Sequence, residues 1–140
     1  MDAIAIVTIL ALTVMGLFHF YWAFGGKTGL DKALPTKDGE LLLNPSKTLT
    51  FFVGIILVVF AHIAYALQFY DFAINTNRDF YLYCGLFLSI IFTLRAIGEF
   101  NMVGFFKKIK NTEFARYDTK YFSPLSLVLG IVFAVLTYKV

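Results

Sequence analysis

Residues Thr48 to Tyr70 read TLTFFVGIILVVFAHIAYALQFY, twenty-three positions without a formal charge. At 1.5 Å per residue a helix of this length reaches about 35 Å, enough to cross a hydrocarbon core of about 30 Å. Comparable stretches lie before and after it. The sequence therefore predicts an all-α integral membrane bundle of four transmembrane helices in one domain spanning residues 1–140, with spans at about 3–24, 48–70, 80–106 and 121–138. A longer loop, 25–47, joins the first two.

Composition agrees. A chain of 140 residues with 59% hydrophobic and 15% charged side chains is too apolar for a small soluble domain, so its surface must face lipid. The net charge of +3 is then read by location, because Lys and Arg in the loops of a membrane protein report orientation. Nucleic acid is excluded as a partner on that reading, and the lipid bilayer takes its place. Cys84 is the lone cysteine and sits inside a span, which rules out an intramolecular disulfide. No Cys or His spacing suits a metal, and no phosphate loop or nucleophile elbow is present, so no metal and no cofactor is expected.

The first span differs from a secretory signal. It starts with Asp2 in place of a basic residue and runs through His19, Phe20, Tyr21 and Trp22 without a small-residue cleavage pattern, so it is expected to be retained. The third stays apolar to Leu94, where Arg95 and Glu99 interrupt a pattern that continues to Phe106. The fourth opens with Ser123 and Pro124 in its first turn, where proline costs no helical hydrogen bond. In the long loop, Lys37-Asp38-Gly39-Glu40 carries an Asp-Gly pair that favours a tight hairpin, bracketed by Pro35 and Pro45. The loop reads as an ordered connector, with a lid over an intramembrane site as the alternative.

Lys27, Lys32, Lys37 and Lys47 in the first loop and Lys107, Lys108, Lys110, Arg116 and Lys120 in the third face only Arg78 and Lys139 on the other side. By the positive-inside rule both termini are expected outside the cytoplasm. No internal repeat suggests an inverted-repeat transporter within one chain, though a homo-oligomer is an open alternative.

This orientation brings the polar residues to one level. His19, Tyr21 and Trp22 fall at the cytoplasmic end of span one, Arg95 and Glu99 in the same part of span three, and Tyr117, Asp118 and Ser123 where span four begins. Trp and Tyr at such depths serve equally as interface anchors or as pocket lining. Arg95 and Glu99, four apart, share a helical face and predict a charge-assisted bond between them. Ionisable groups in a span are expensive and mark functional sites by default; the bland alternative is an ion pair that locks helices together. His19 shares a face with Met15, Trp22 and Ala23 and would approach Arg95 or Glu99 if spans one and three pack together. His62 and Tyr65 form a weaker stripe suited to an interhelical hydrogen bond, beside Ala61 and Ala64, which permit close helix contact.

The segments Arg95-Ala-Ile-Gly-Glu99-Phe, Val103-Gly-Phe-Phe-Lys107-Lys108, Thr112-Glu-Phe-Ala115, Asp118 and Tyr121-Phe-Ser-Pro124-Leu, with His19-Phe-Tyr-Trp22-Ala-Phe-Gly-Gly26 and Leu34-Pro-Thr36, resemble a bacterial family of small membrane proteins known as domain of unknown function 3995. The resemblance covers essentially the whole chain. It implies four spans in a bacterial inner membrane and brings no established activity. Where the family's Ser-Pro-Leu-Cys run ends in cysteine this chain has Ser126, which argues against an obligatory thiol there.

The leading expectation is a site for a small amphipathic or lipid-like ligand, lined by Arg95, Glu99, His19, Trp22, Tyr21 and Asp118. An alternative makes Glu99 or Asp118 a general acid or base on a lipid-soluble substrate, with His19 as proton partner. A third is a non-catalytic membrane subunit or scaffold, with the Lys107-Lys108-Ile-Lys110 run touching head groups.

Overall fold

The computed structural model describes residues 1–38, 40–74 and 77–140, with Thr36 and Lys37 described by their backbone alone. Helix α1 runs Asp2–Ala23; a short α2, Leu30–Ala33, and a two-stranded hairpin, β1 Thr36–Lys37 and β2 Glu40–Leu41, occupy the first loop. Helix α3 is Lys47–Phe69, α4 is Arg78–Ile97, α5 is Glu113–Tyr117, and a π-helical turn at Asp118–Phe122 leads directly into α6, Ser123–Lys139. Among the described residues four helices are long and apolar enough to cross a membrane, the last running unbroken from Glu113 to Lys139.

The bundle is built from two tight pairs, α1 with α3 and α4 with α6. Small residues set both contacts. A Cβ on Gly16 would meet the carbonyl of Gly54 at 3.1 Å, and one on Gly130 would meet the Thr93 amide at 3.1 Å, so at each place a backbone takes the room of a side chain. Ser89 Oγ donates to the Gly130 carbonyl at 2.8 Å, tying α4 to α6 where the backbones are closest. Between the pairs lie larger side chains. Phe92 of α4 stacks on Phe133 of α6 and meets Phe60 of α3 edge-on, so one ring belongs to both pairs. Leu12, Ala64, Leu88, Leu129 and Leu136 complete a buried apolar centre. Outward-facing Val7, Leu10, Phe52 and Phe87 are all more than half exposed, as a surface in contact with hydrocarbon requires.

Ser46 starts α3, its Oγ accepting from the Leu49 amide at 3.1 Å. The hairpin falls where Asp38 and Gly39 place it: Asp38 has φ +54°, and Thr36 pairs with Leu41 and Lys37 with Glu40. Gly39 itself lies outside the described residues. His62 and Tyr81 make the expected interhelical contact, Nε2 to hydroxyl at 3.3 Å.

Two boundaries differ from the sequence reading. Hydropathy predicts a third span reaching residue 106, yet α4 ends at Ile97. Gly98 adopts φ +85°, ψ −175°, a conformation open only to glycine, and the chain folds back so that the Phe105 amide donates to the Ala96 carbonyl at 2.8 Å. Residues 98–109 thus form a compact re-entrant loop. The fourth span is predicted to start near Tyr121 with proline in its first turn, yet Pro124 sits inside a continuous helix. Proline lacks an N–H and crowds the carbonyl four residues back, and the turn before it widens so that Ser123 N–H bonds to the Asp118 carbonyl five residues away.

Candidate functional site

The re-entrant loop and the π-turn meet at Asp118. Its side chain is wholly buried, and three donors reach its two oxygens. Arg95 Nη2 donates to Oδ1 at 2.8 Å; Lys107 Nζ donates to Oδ2 at 3.0 Å, and the Gly104 amide donates to the same oxygen at 2.8 Å. Lys107 is equally buried and also donates to the Gly104 carbonyl and to Thr119 Oγ1, at 2.7 and 2.6 Å. Every proton of its ammonium group is therefore used. Thr112 caps α5 by accepting from the Ala115 amide at 3.0 Å, which fixes the helix that carries Asp118 inward.

The cluster holds two cations against one carboxylate, leaving one net positive charge. Arg95 is the member that reaches outward, its side chain 34% exposed. Its second terminal nitrogen, Nη1, is buried and has no hydrogen-bond partner among the described residues, and neither has Ser123 Oγ at the start of α6. A buried guanidinium N–H without an acceptor costs more than a neutral one, so Nη1 is a point where an anionic group would be stabilised.

The expected bond between Arg95 and Glu99 is not the one formed. Because α4 stops at Ile97, the spacing of four no longer places the two side chains on one helical face. Glu99 is exposed, and its carboxylate accepts from the Met102 and Val103 amides, holding the re-entrant loop in shape. Arg95 turns to Asp118 instead.

The α1 residues form a separate group. His19 Nδ1 bonds to the Met15 carbonyl at 2.8 Å; a carbonyl only accepts, so the proton of this bond sits on Nδ1. Trp22 Nε1 donates to the Thr28 carbonyl at 2.9 Å, and the Tyr21 hydroxyl to Thr28 Oγ1 at 3.1 Å. His19 and Trp22 meet edge to face. Span one packs mainly on span two, so no hydrogen bond or ion pair among the described residues joins this group to Arg95, Glu99 or Asp118. The first loop supplies the link between the two sides: α2 packs on α5, with Lys32 Nζ 5.3 Å from the centre of the Tyr117 ring.

Lys107 is the site residue that sequence reasoning passed over, because a lysine at the head of a basic run reads as a topology signal. The available sign was the pair of glycines, Gly98 and Gly104, both at positive φ, which mark a loop folded tightly enough to bury a neighbouring side chain.

Fold and site together define a multi-pass helical membrane protein with a buried ion cluster at one end of the bundle. Residues 12–133 match the family described as protein of unknown function DUF3995, and the chain belongs to that family. No curated protein and no solved structure matches it.

Proposed function

We propose that this chain is a multi-pass protein of the bacterial cytoplasmic membrane that binds a small amphipathic, lipid-like ligand at the end of the bundle where the first and third loops lie, with Arg95 taking its acidic head. The observation that carries this reading is the Arg95 guanidinium, anchored through Nη2 on Asp118 while Nη1 is buried with no acceptor among the described residues. Asp118 and Lys107 hold that guanidinium in place. With three donors on its oxygens, Asp118 is better suited to positioning than to taking a proton from a substrate.

Native mass spectrometry of protein extracted gently from its own membranes tests this. Wild type is expected to carry a discrete adduct that Arg95→Gln loses while its melting temperature in detergent stays within a few degrees. Clean apo masses for both would defeat the proposal. The competing reading, a scaffold in which the cluster only locks helices, is favoured by the saturation of Lys107 and Asp118. It predicts that Arg95→Gln unfolds and that Arg95→Lys rescues stability with no adduct in either protein.

The proposed orientation has its own check. Alkaline phosphatase fused after Val140 is expected to be active and green fluorescent protein at the same point dark, because the basic loops face the cytoplasm. The opposite pattern would invert the topology.

A further inference from the structure

A second feature lies on the outer side of the same end of the bundle, on residues that take no part in the buried cluster. Glu113, Arg116, Tyr117, Lys120 and Tyr121 line a depression of about 250 Å³ along α5 and the π-turn. Tyr117 and Tyr121 form its aromatic wall, ring centres 5.8 Å apart and planes inclined by 32°. Each ring carries a lysine: Lys32 of the first loop is 5.3 Å from the Tyr117 ring centre, and Lys120 is 5.2 Å from that of Tyr121. These contacts hold the two ammonium groups beside the depression. Among the lining residues Arg116 and Lys120 are set against Glu113, and Lys32 adds its charge at the Tyr117 ring.

We propose that this depression is a docking site for the phosphate-bearing head group of an anionic phospholipid. Three observations favour a lipid over a soluble partner. The depression sits on the stretch that continues without a break into the apolar α6 helix, so it lies where a span leaves the hydrocarbon. Tyr121 is half exposed, and tyrosine rings with basic neighbours are the side chains that face head groups at that depth. The surplus charge is positive, complementary to a phosphodiester. The basic groups come from sequence positions as far apart as 32 and 120, so the cradle is a product of the fold and differs from the contiguous run at Lys108 and Lys110, whose side chains are simply exposed. The proposal is independent of the ligand assigned to Arg95.

The test reconstitutes the full chain in vesicles of phosphatidylcholine containing a minority of phosphatidylglycerol and counts the lipids retained after release into a native mass spectrometer. Wild type is expected to keep one phosphatidylglycerol in preference to phosphatidylcholine. Arg116→Gln/Lys120→Gln is expected to lower that retention about tenfold, whereas Lys108→Gln/Lys110→Gln, with the same change of charge on the neighbouring loop, leaves it near wild type. Both double variants keep Arg95 and Asp118, so a lipid held at Arg95 would survive in both, which separates this site from the buried one. All four substituted positions in the two double variants are exposed, so folding is preserved and is verified by the melting temperature. Equal losses in the two double variants would reduce the effect to general surface charge and overturn the proposal. So would retention in Arg116→Gln/Lys120→Gln, or the absence of any preference in wild type.

Discussion

Asp118→Asn is expected to lower the melting temperature in detergent by about 10 °C or more, the largest loss from any single polar substitution in the chain. The substitution is almost isosteric, so packing changes little. The loss arises because the buried ammonium of Lys107 and the Nη2 end of Arg95 are deprived of their only anionic partner in the cluster. Removing one member of a buried ion pair costs about 3–5 kcal/mol, mostly because the remaining charge is stranded in a poor solvent. The Gly104 amide keeps an acceptor, because an asparagine carbonyl can replace Oδ2 there. Charge, not hydrogen bonding at that amide, therefore sets the size of the effect. Adding Lys107→Met to Asp118→Asn removes the stranded ammonium and should recover a substantial part of the stability. If Asp118→Asn melts within two or three degrees of wild type, the cluster does not hold the loop to the helix.

The same cluster shows where sequence reading reaches its limit. The four spans were legible because an uncharged run of about twenty residues has few other fates, and the hairpin because Asp38 and Gly39 favour one kind of turn. The level of Arg95 and Asp118 along the bundle followed from those spans. Their partnership did not. Hydropathy carries on through Val103, Phe105 and Phe106, and nothing in an apolar pattern distinguishes a helix that continues from a loop that folds back against its own end. That difference begins at the backbone of Gly98 and continues through Phe100 and Gly104, all three at positive φ, and it decides whether Glu99 faces Arg95 or the amides of Met102 and Val103. In the fourth span, proline marked a helix start by its usual preference, while the widened π-turn lets it stand inside a longer helix and brings Asp118 and Ser123 to the buried side together.

Gly98→Ala tests that hinge directly and is expected to damage the site more than any change to Glu99. At φ +85° and ψ −175° an L-residue is strained before any contact is considered, and a Cβ placed there runs into the Val103 carbonyl and the Gly104 Cα. Both obstacles are backbone, so no rotamer change relieves them. The loop has to open, and opening withdraws the Gly104 amide and Lys107 from Asp118, so the local strain is passed on to the ion cluster. The amides of Phe105 and Lys108, which donate to Ala96 and Asn101 in the closed loop, should exchange with solvent far faster in Gly98→Ala while amides in the middle of α3 stay protected. Glu99→Gln, which keeps an oxygen acceptor for the Met102 and Val103 amides, should leave the same exchange rates within a few-fold of wild type. Unchanged protection at Phe105 and Lys108 in Gly98→Ala would mean that the loop stays closed with an L-residue at position 98, so the backbone of Gly98 would not be what holds the Gly104 amide and Lys107 against Asp118.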